Sequence, residues 1–103
     1  MDSVRTASGR ENVILLDVGD FLQGDNAAYY YNFVDTTTTH LYARMTEYMD
    51  YDAVIVGNHD VETGHAVYDR LNEQMKMPLL GSNAIRTDNA RPYFQDYTIV
   101  RRH

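Results

Sequence analysis

A chain of 103 residues, 44% hydrophobic and 23% charged, has the size and composition of at most one globular domain, and general disorder is excluded. Its net charge of −6 argues against binding a nucleic-acid polymer, which needs a basic footprint; small phosphorylated substrates stay open, because a bound metal inverts the local field. With no cysteine there are no disulfides or thiolate metal sites, and no stretch approaches the roughly 20 apolar residues of a membrane span or reads as a signal peptide.

Residues 1 to 12 are polar, with Gly9 and Asn12 as breakers, and Asp2-Ser3-Val4-Arg5 reads as the tail of a helix that starts outside the sequence. Val13 to Leu16 is a continuous apolar run, the pattern of a buried strand, ending at Asp17-Val18-Gly19-Asp20. Phe21 to Thr39 follows as a long connection holding Gln23-Gly24-Asp25, three consecutive tyrosines (Tyr29 to Tyr31) and four threonines in succession. So β-branched and polar a segment is expected to be a loop. From His40 to Asp50 the pattern turns helical, with Leu41, Met45, Tyr48 and Met49 on the apolar face and Arg44 and Glu47 on the other.

Ala53 to Val56 reads as a strand buried on both faces, as in a parallel sheet. It stops at Gly57 and is followed at once by Asn58, His59 and Asp60. The segment joining the two strands is long enough for a right-handed parallel crossover. A second helix is predicted over Gly64 to Gln74, with Thr63 as N-cap and Val67, Tyr68, Leu71 and Met75 as its buried stripe. Pro78 stops it, and Leu79 to Asn83 reads as a third strand. Beyond a turn cluster at Thr87-Asp88-Asn89, Tyr97 to Val100 is a short strand candidate running into Arg101-Arg102-His103. The β-α-β-α-β order predicts a layered α/β fold with a mostly parallel sheet. The frayed ends predict a piece of a larger domain.

The chemistry falls at two turns. Asp20 stands just past the first strand and Asn58 and His59 just past the second, so neighbouring parallel strands bring them to one rim, where open α/β sheets hold their ligands. A carboxylate and an amide oxygen suit hard divalent cations, and an added imidazole suits zinc, iron or manganese. A carboxylate can also bridge two metals ~3.5–4 Å apart. Each turn alone is weak, since Asp and Asn after a strand commonly bond their own backbone. The pair, separated by one crossover, carries more.

Gly19-Asp20 with Gly57-Asn58-His59-Asp60 resembles the central motifs of the calcineurin-like metallophosphoesterases. Asp20-Phe21-Leu22-Gln23-Gly24 is similar to the branch of 5′-nucleotidases and 2′,3′-cyclic-nucleotide phosphodiesterases. The resemblance implies a fragment of a metallophosphoesterase sandwich whose parent hydrolyses nucleotide phosphate esters at two divalent ions, drawn from manganese, zinc, iron, cobalt or magnesium. It implies that Asp20 bridges the metals, that Asn58 binds one of them, and that His59 donates to the phosphoryl or leaving oxygen. Glu62, where the family usually has Asp, would orient His59, and Asp60 would support the ligands from behind. By the same analogy the parent is periplasmic or secreted. The family's upstream Asp-x-His and its downstream lone His and Gly-His-x-His are absent from the 103 residues, so the chain alone is expected to bind metal weakly and to hydrolyse little.

His40 and His65 read as solvated or helix-end histidines, and Met45, Met49, Met75 and Met77 as core filler. Tyr29 to Tyr31 pack a loop or stack a base, and Arg101-Arg102 reads as a solvated strand end. The alternative to an enzyme fragment is a non-catalytic module that associates, as a homodimer for instance, through an exposed sheet edge.

Overall fold

The computed structural model describes residues 1–102; His103 lies outside the described residues. Three parallel strands, β1 (Leu16–Asp17), β2 (Ala53–Ile55) and β3 (Leu79–Leu80), form one sheet in the order β1-β2-β3. Helix α1 (Asp2–Ser8) precedes them. The first crossover carries α2 (Asn26–Tyr29), which runs into a π-helical turn at Tyr30–Val34, and then α3 (Leu41–Tyr48). The second carries the single turn α4 (Asn58–Val61) and α5 (His65–Gln74). The expected β-α-β-α-β parallel architecture is therefore present.

Register decides which residues share a face. Asp17, Val54 and Leu79 pair across the sheet, as do Ile55 and Leu80. Val54 and Leu79 meet Ala43 of α3 and Val67, Tyr68 and Leu71 of α5, with Leu22, Met75 and Phe94 closing the core. The opposite face carries Leu16, Ala53 and Ile55; Leu16 and Ile55 are exposed, while Ala53 between them is buried. A strand buried on both faces is thus half right: Ala53 and Val54 are buried, but Ile55 faces solvent.

Several boundaries move for identifiable reasons. The first strand, expected at Val13 to Leu16, pairs only at Leu16–Asp17. Just before it, the Asp52 carboxylate takes the Leu15 N–H at 2.9 Å, while Leu15 O accepts from Asp52 N at 2.8 Å. The supposed loop from Phe21 to Thr39 contains helix: Asp25 caps α2 by accepting from Ala28 N at 2.8 Å, and Ala27 and Ala28 propagate it. The threonines do stay outside it. Helix α5 keeps its predicted stripe, but its N-cap is Gly64; Thr63 Oγ1 instead donates to Asp60 O at 2.6 Å. The third strand is two residues long. No strand forms over Tyr97–Val100, because the chain meets β3 only at a single Leu80–Gln95 bridge.

Helix α3 is the largest correction. Its buried side is Ala43 and Thr46, with Thr46 Oγ1 bonded back to Tyr42 O at 2.9 Å. Of the apolar stripe read from the sequence, Leu41 and Met49 are half-buried, but Met45 is exposed and Tyr48 is 91% exposed. Of the four methionines expected in the core, Met75 is buried and Met77 packs against it, but Met45 is not there.

Candidate functional site

The turns after β1 and β2 meet at the carboxyl rim of the sheet. They touch so closely that glycine is required at both. A Cβ on Gly19, whose φ is +94°, would come within 2.5 Å of Gly57 N and Ile55 O; one on Gly57 would overlap the Asp20 carboxylate. Asp20 itself sits at φ +64°, a left-handed conformation that costs a non-glycine residue on the order of 1 kcal/mol. The conformation turns its side chain onto the second turn, where Oδ1 accepts from His59 N at 3.0 Å.

Asp60 holds the two turns together. It is only 2% exposed, and its carboxylate accepts from four backbone amides. Oδ2 takes Asp20 N and Gly57 N at 2.8 Å each, and Oδ1 takes Phe21 N and Leu22 N at 3.0 Å each. The Gly57 bond also reaches back to the start of α4, closing that single turn. A buried carboxylate is tolerated only when its oxygens are satisfied, and here they are.

His59 lies on the solvent side of α4, with Nδ1 3.0 Å from Glu62 Oε2. The hydrogen bond to Glu62 and then its charge raise the imidazole above its ordinary pKa, and Asp20 and Asp60 add to the effect. Facing a carboxylate, Nδ1 carries the proton, and Nε2 is the nitrogen outside this pair. The extra methylene of Glu62, relative to Asp, does not prevent contact. Gln23 Nε2 donates to the same Glu62 oxygen at 3.2 Å, so the first turn also steadies the carboxylate. Asn58, the first residue of α4, is exposed beside them.

Two supports behind the rim were not visible in the sequence. Tyr42 of α3 donates to Asp17 Oδ2, Asp17 Oδ1 accepts from Gly19 N at 2.8 Å, and the Tyr42 ring stacks on Phe21 at 3.7 Å. Burial, then the hydrogen bond to Asp17, push the Tyr42 phenol upward. The second support is His40, which of the two readings, solvated or helix-end, takes the second. It is buried at the start of α3, where Nδ1 accepts from Tyr42 N at 3.0 Å and Nε2 faces Asn32 Oδ1 at 2.8 Å. Burial, with Arg70 adding to it, lowers its pKa to about 4. Asn32 Nδ2 in turn donates to Leu22 O at 2.8 Å. The chain of contacts from α3 therefore ends on the backbone that Asp60 grips. A polar residue inside an aromatic-rich segment was the only clue, and periodicity gives it no weight.

His65, exposed at the start of α5, places Nδ1 2.8 Å from the hydroxyls of Tyr68 and Tyr93, away from the rim pair. Arg102 is an ion-pair partner of Asp52. Of the sequence-predicted site residues, the fold brings Asp20, Asn58, His59, Asp60 and Glu62 to one rim. As metal donors the fit is incomplete: Asp20 and Asn58 offer oxygens of the right kind, but among the described residues no group of three or more His, Asp or Glu is gathered to hold an ion. Two scattered oxygen donors fall short of the ligand count divalent cations take from proteins.

The parallel β-α-β-α-β sheet, with its two turns meeting at the carboxyl rim, has a counterpart among solved structures. One solved structure of that kind, the calcineurin-like phosphoesterase YfkN from Bacillus subtilis, superposes with a TM-score of 0.81 at 24% sequence identity, over 96% of this chain. The chain spans 30% of the length of that protein. At that identity the likeness is one of fold. No protein-family model matches the chain, and no curated protein matches it.

Proposed function

We propose that this chain is a portion of a metal-dependent phosphoesterase catalytic domain, acting in its parent on phosphate esters of the nucleotide class. Asp20 and Asn58 would supply two of the metal ligands, with the rest contributed by residues outside these 103. His59, held by Glu62, would hydrogen-bond the phosphoryl or leaving oxygen, and Asp60 would fix both turns. The observation that supports this best is the 3.0 Å bond from His59 N to Asp20 Oδ1, which puts the acid of one turn against the amide-imidazole pair of the other. Divalent ions would supply Lewis acidity to such a site. The chain's own part is to orient an imidazole proton donor.

Manganese titration followed by paramagnetic broadening of amide resonances tests this. Broadening confined to residues 19–23 and 57–60, weak by calorimetry and lost in Asn58→Ala, is the expected result. Diffuse broadening across the acidic surface would remove the site. Hydrolysis of nitrophenyl phosphate by the isolated chain should be close to background. Robust turnover abolished by Asn58→Ala would show a complete site and overturn the partial-domain reading.

A further inference from the structure

A cavity of about 550 Å³ opens at the acid of the first turn, lined by Asp20, Phe21, Ala27, Leu41, Tyr42 and Met45. That volume is within the range of small-molecule sites. Its walls are mostly carbon. Ala27 comes from α2 and Leu41 and Met45 from α3, and none of the three belongs to the hydrophobic core or packs against it. The Phe21 and Tyr42 rings lie flat on each other at 3.7 Å, so each has one face already covered. The polar groups around the cavity are in use: Tyr42 donates to Asp17, His40 has both ring nitrogens bonded, Asp25 caps α2 through Oδ1, and Gln23 Nε2 donates to Glu62. Asp20 is shared with the rim, where its Oδ1 takes His59 N at 3.0 Å. Such walls suit an unbranched alkyl group, which asks for no hydrogen bond and gains by leaving water. A hydroxylated sugar would give up its water partners there and find few in return.

We infer that this cavity takes the short alkyl chain of an alkyl phosphate monoester, whose phosphoryl group meets the rim at Asp20. The seating of the chain stands on the cavity alone; the placing of the phosphoryl group rests on the phosphoesterase reading. Asp20 and Asp25 both line the cavity and would repel a bare anion, so the phosphoryl group needs a divalent cation and the chain does not. Met45, unbranched and flexible, can follow the shape of such a chain. Ala27 faces it with the smallest side chain of the wall, and is exposed on α2, so the room for the chain depends on that position.

The test is NMR titration of the full 103-residue chain with 1-butanol, 1-hexanol, hexyl phosphate and inorganic phosphate, the two phosphates with magnesium present. Hexanol should shift the methyl resonances of Ala27, Leu41 and Met45, and each methylene added between butanol and hexanol should tighten binding roughly threefold. Ala27→Leu fills the cavity from an exposed helical position and should weaken hexanol roughly tenfold with unchanged far-UV circular dichroism. Silent methyls, shifts gathered instead at Leu16 and Ile55, affinity indifferent to chain length, or an Ala27→Leu chain that binds hexanol as well as the parent, overturn the subsite. The two readings separate. Hexanol in the cavity, with no added shift at Asp20 and His59 from hexyl phosphate, supports the seating of the chain and removes the phosphoryl placement together with the phosphoesterase reading. Shifts at Asp20 and His59 from inorganic phosphate, with hexanol silent, do the reverse.

Discussion

At the scale of single residues, Asp60 matters more to the site than either presumed ligand, because it sets where both of them stand. Each of its oxygens takes two backbone amides, one pair within the first turn and one pair spanning both. Asp60→Asn keeps the shape but replaces one oxygen by an NH2 group, which would face two N–H donors. Each buried donor left without a partner costs about 1–3 kcal/mol, so the variant should lose about 3 kcal/mol in urea denaturation, with an unchanged m-value. A loss under 1 kcal/mol would mean the turns are held by something else. Asp20, Asn58 and His59 were legible in the sequence because they directly follow apolar runs and glycines. The weight on Asp60 was not: a run of residues says nothing about which carboxylate is turned inward to collect amides from a segment about 40 positions away.

Among the elements, α5 and α3 show what periodicity can and cannot reveal. In α5 the apolar stripe is the buried one, because Val67, Tyr68 and Leu71 lie over the sheet with nothing competing for the place. In α3 the same pattern was half misleading: Ala43 and Thr46 take the buried side, Leu41 and Met49 are half-buried, and the larger Met45 and Tyr48 are left outside. The start of α3 was legible at His40, but not the burial of that histidine, which faces Asn32 of the preceding π-helical turn. Its buried imidazole has a consequence for acid stability. The unfolded chain takes up this proton near pH 6.5, the native state only near pH 4, so the unfolded state binds more protons between those values. Stability should fall as pH drops through that window, by about 3 kcal/mol if the full shift is expressed. His40→Asn retains a capping oxygen for Tyr42 N and removes the titration. The stability difference between parent and variant, measured by denaturation from pH 7 to pH 4, should shift steadily in the variant's favour on acidification. A difference independent of pH would show that His40 titrates normally.

Taken whole, the molecule is a thin slab. Its extents are 43 × 34 × 21 Å and its radius of gyration is 14.7 Å, where a compact chain of this length has about 13 Å. The accessible surface of 6868 Å² exceeds the roughly 5,900 Å² expected for this mass. The excess has a visible source. Parallel sheets are ordinarily covered on both faces, yet here the helices pack on the Val54–Leu79 face, and on the other face Leu16 and Ile55 are left exposed around a buried Ala53. Leu16 and Ile55 stand on the open side by register, with Ile14 and Val18 exposed at alternate positions along the same stretch, Val18 to 79%. The sequence pattern registered these strands as apolar throughout, and that is a requirement for two covering layers; it could not say that one would be lacking. A proposed parent domain would lay its remaining layers there. Alone, the chain should bury this face against another copy. Light scattering on a size-exclusion column should find association that grows with concentration, is indifferent to chelator, and is suppressed by Leu16→Glu with Val18→Glu. Those charges leave the backbone edge of β1 intact, so association that survives them would run through the strand edge instead, as the module reading expects. With only two ladder residues in β1, an edge offers few hydrogen bonds, and the face, with four exposed aliphatic side chains, is the stronger surface.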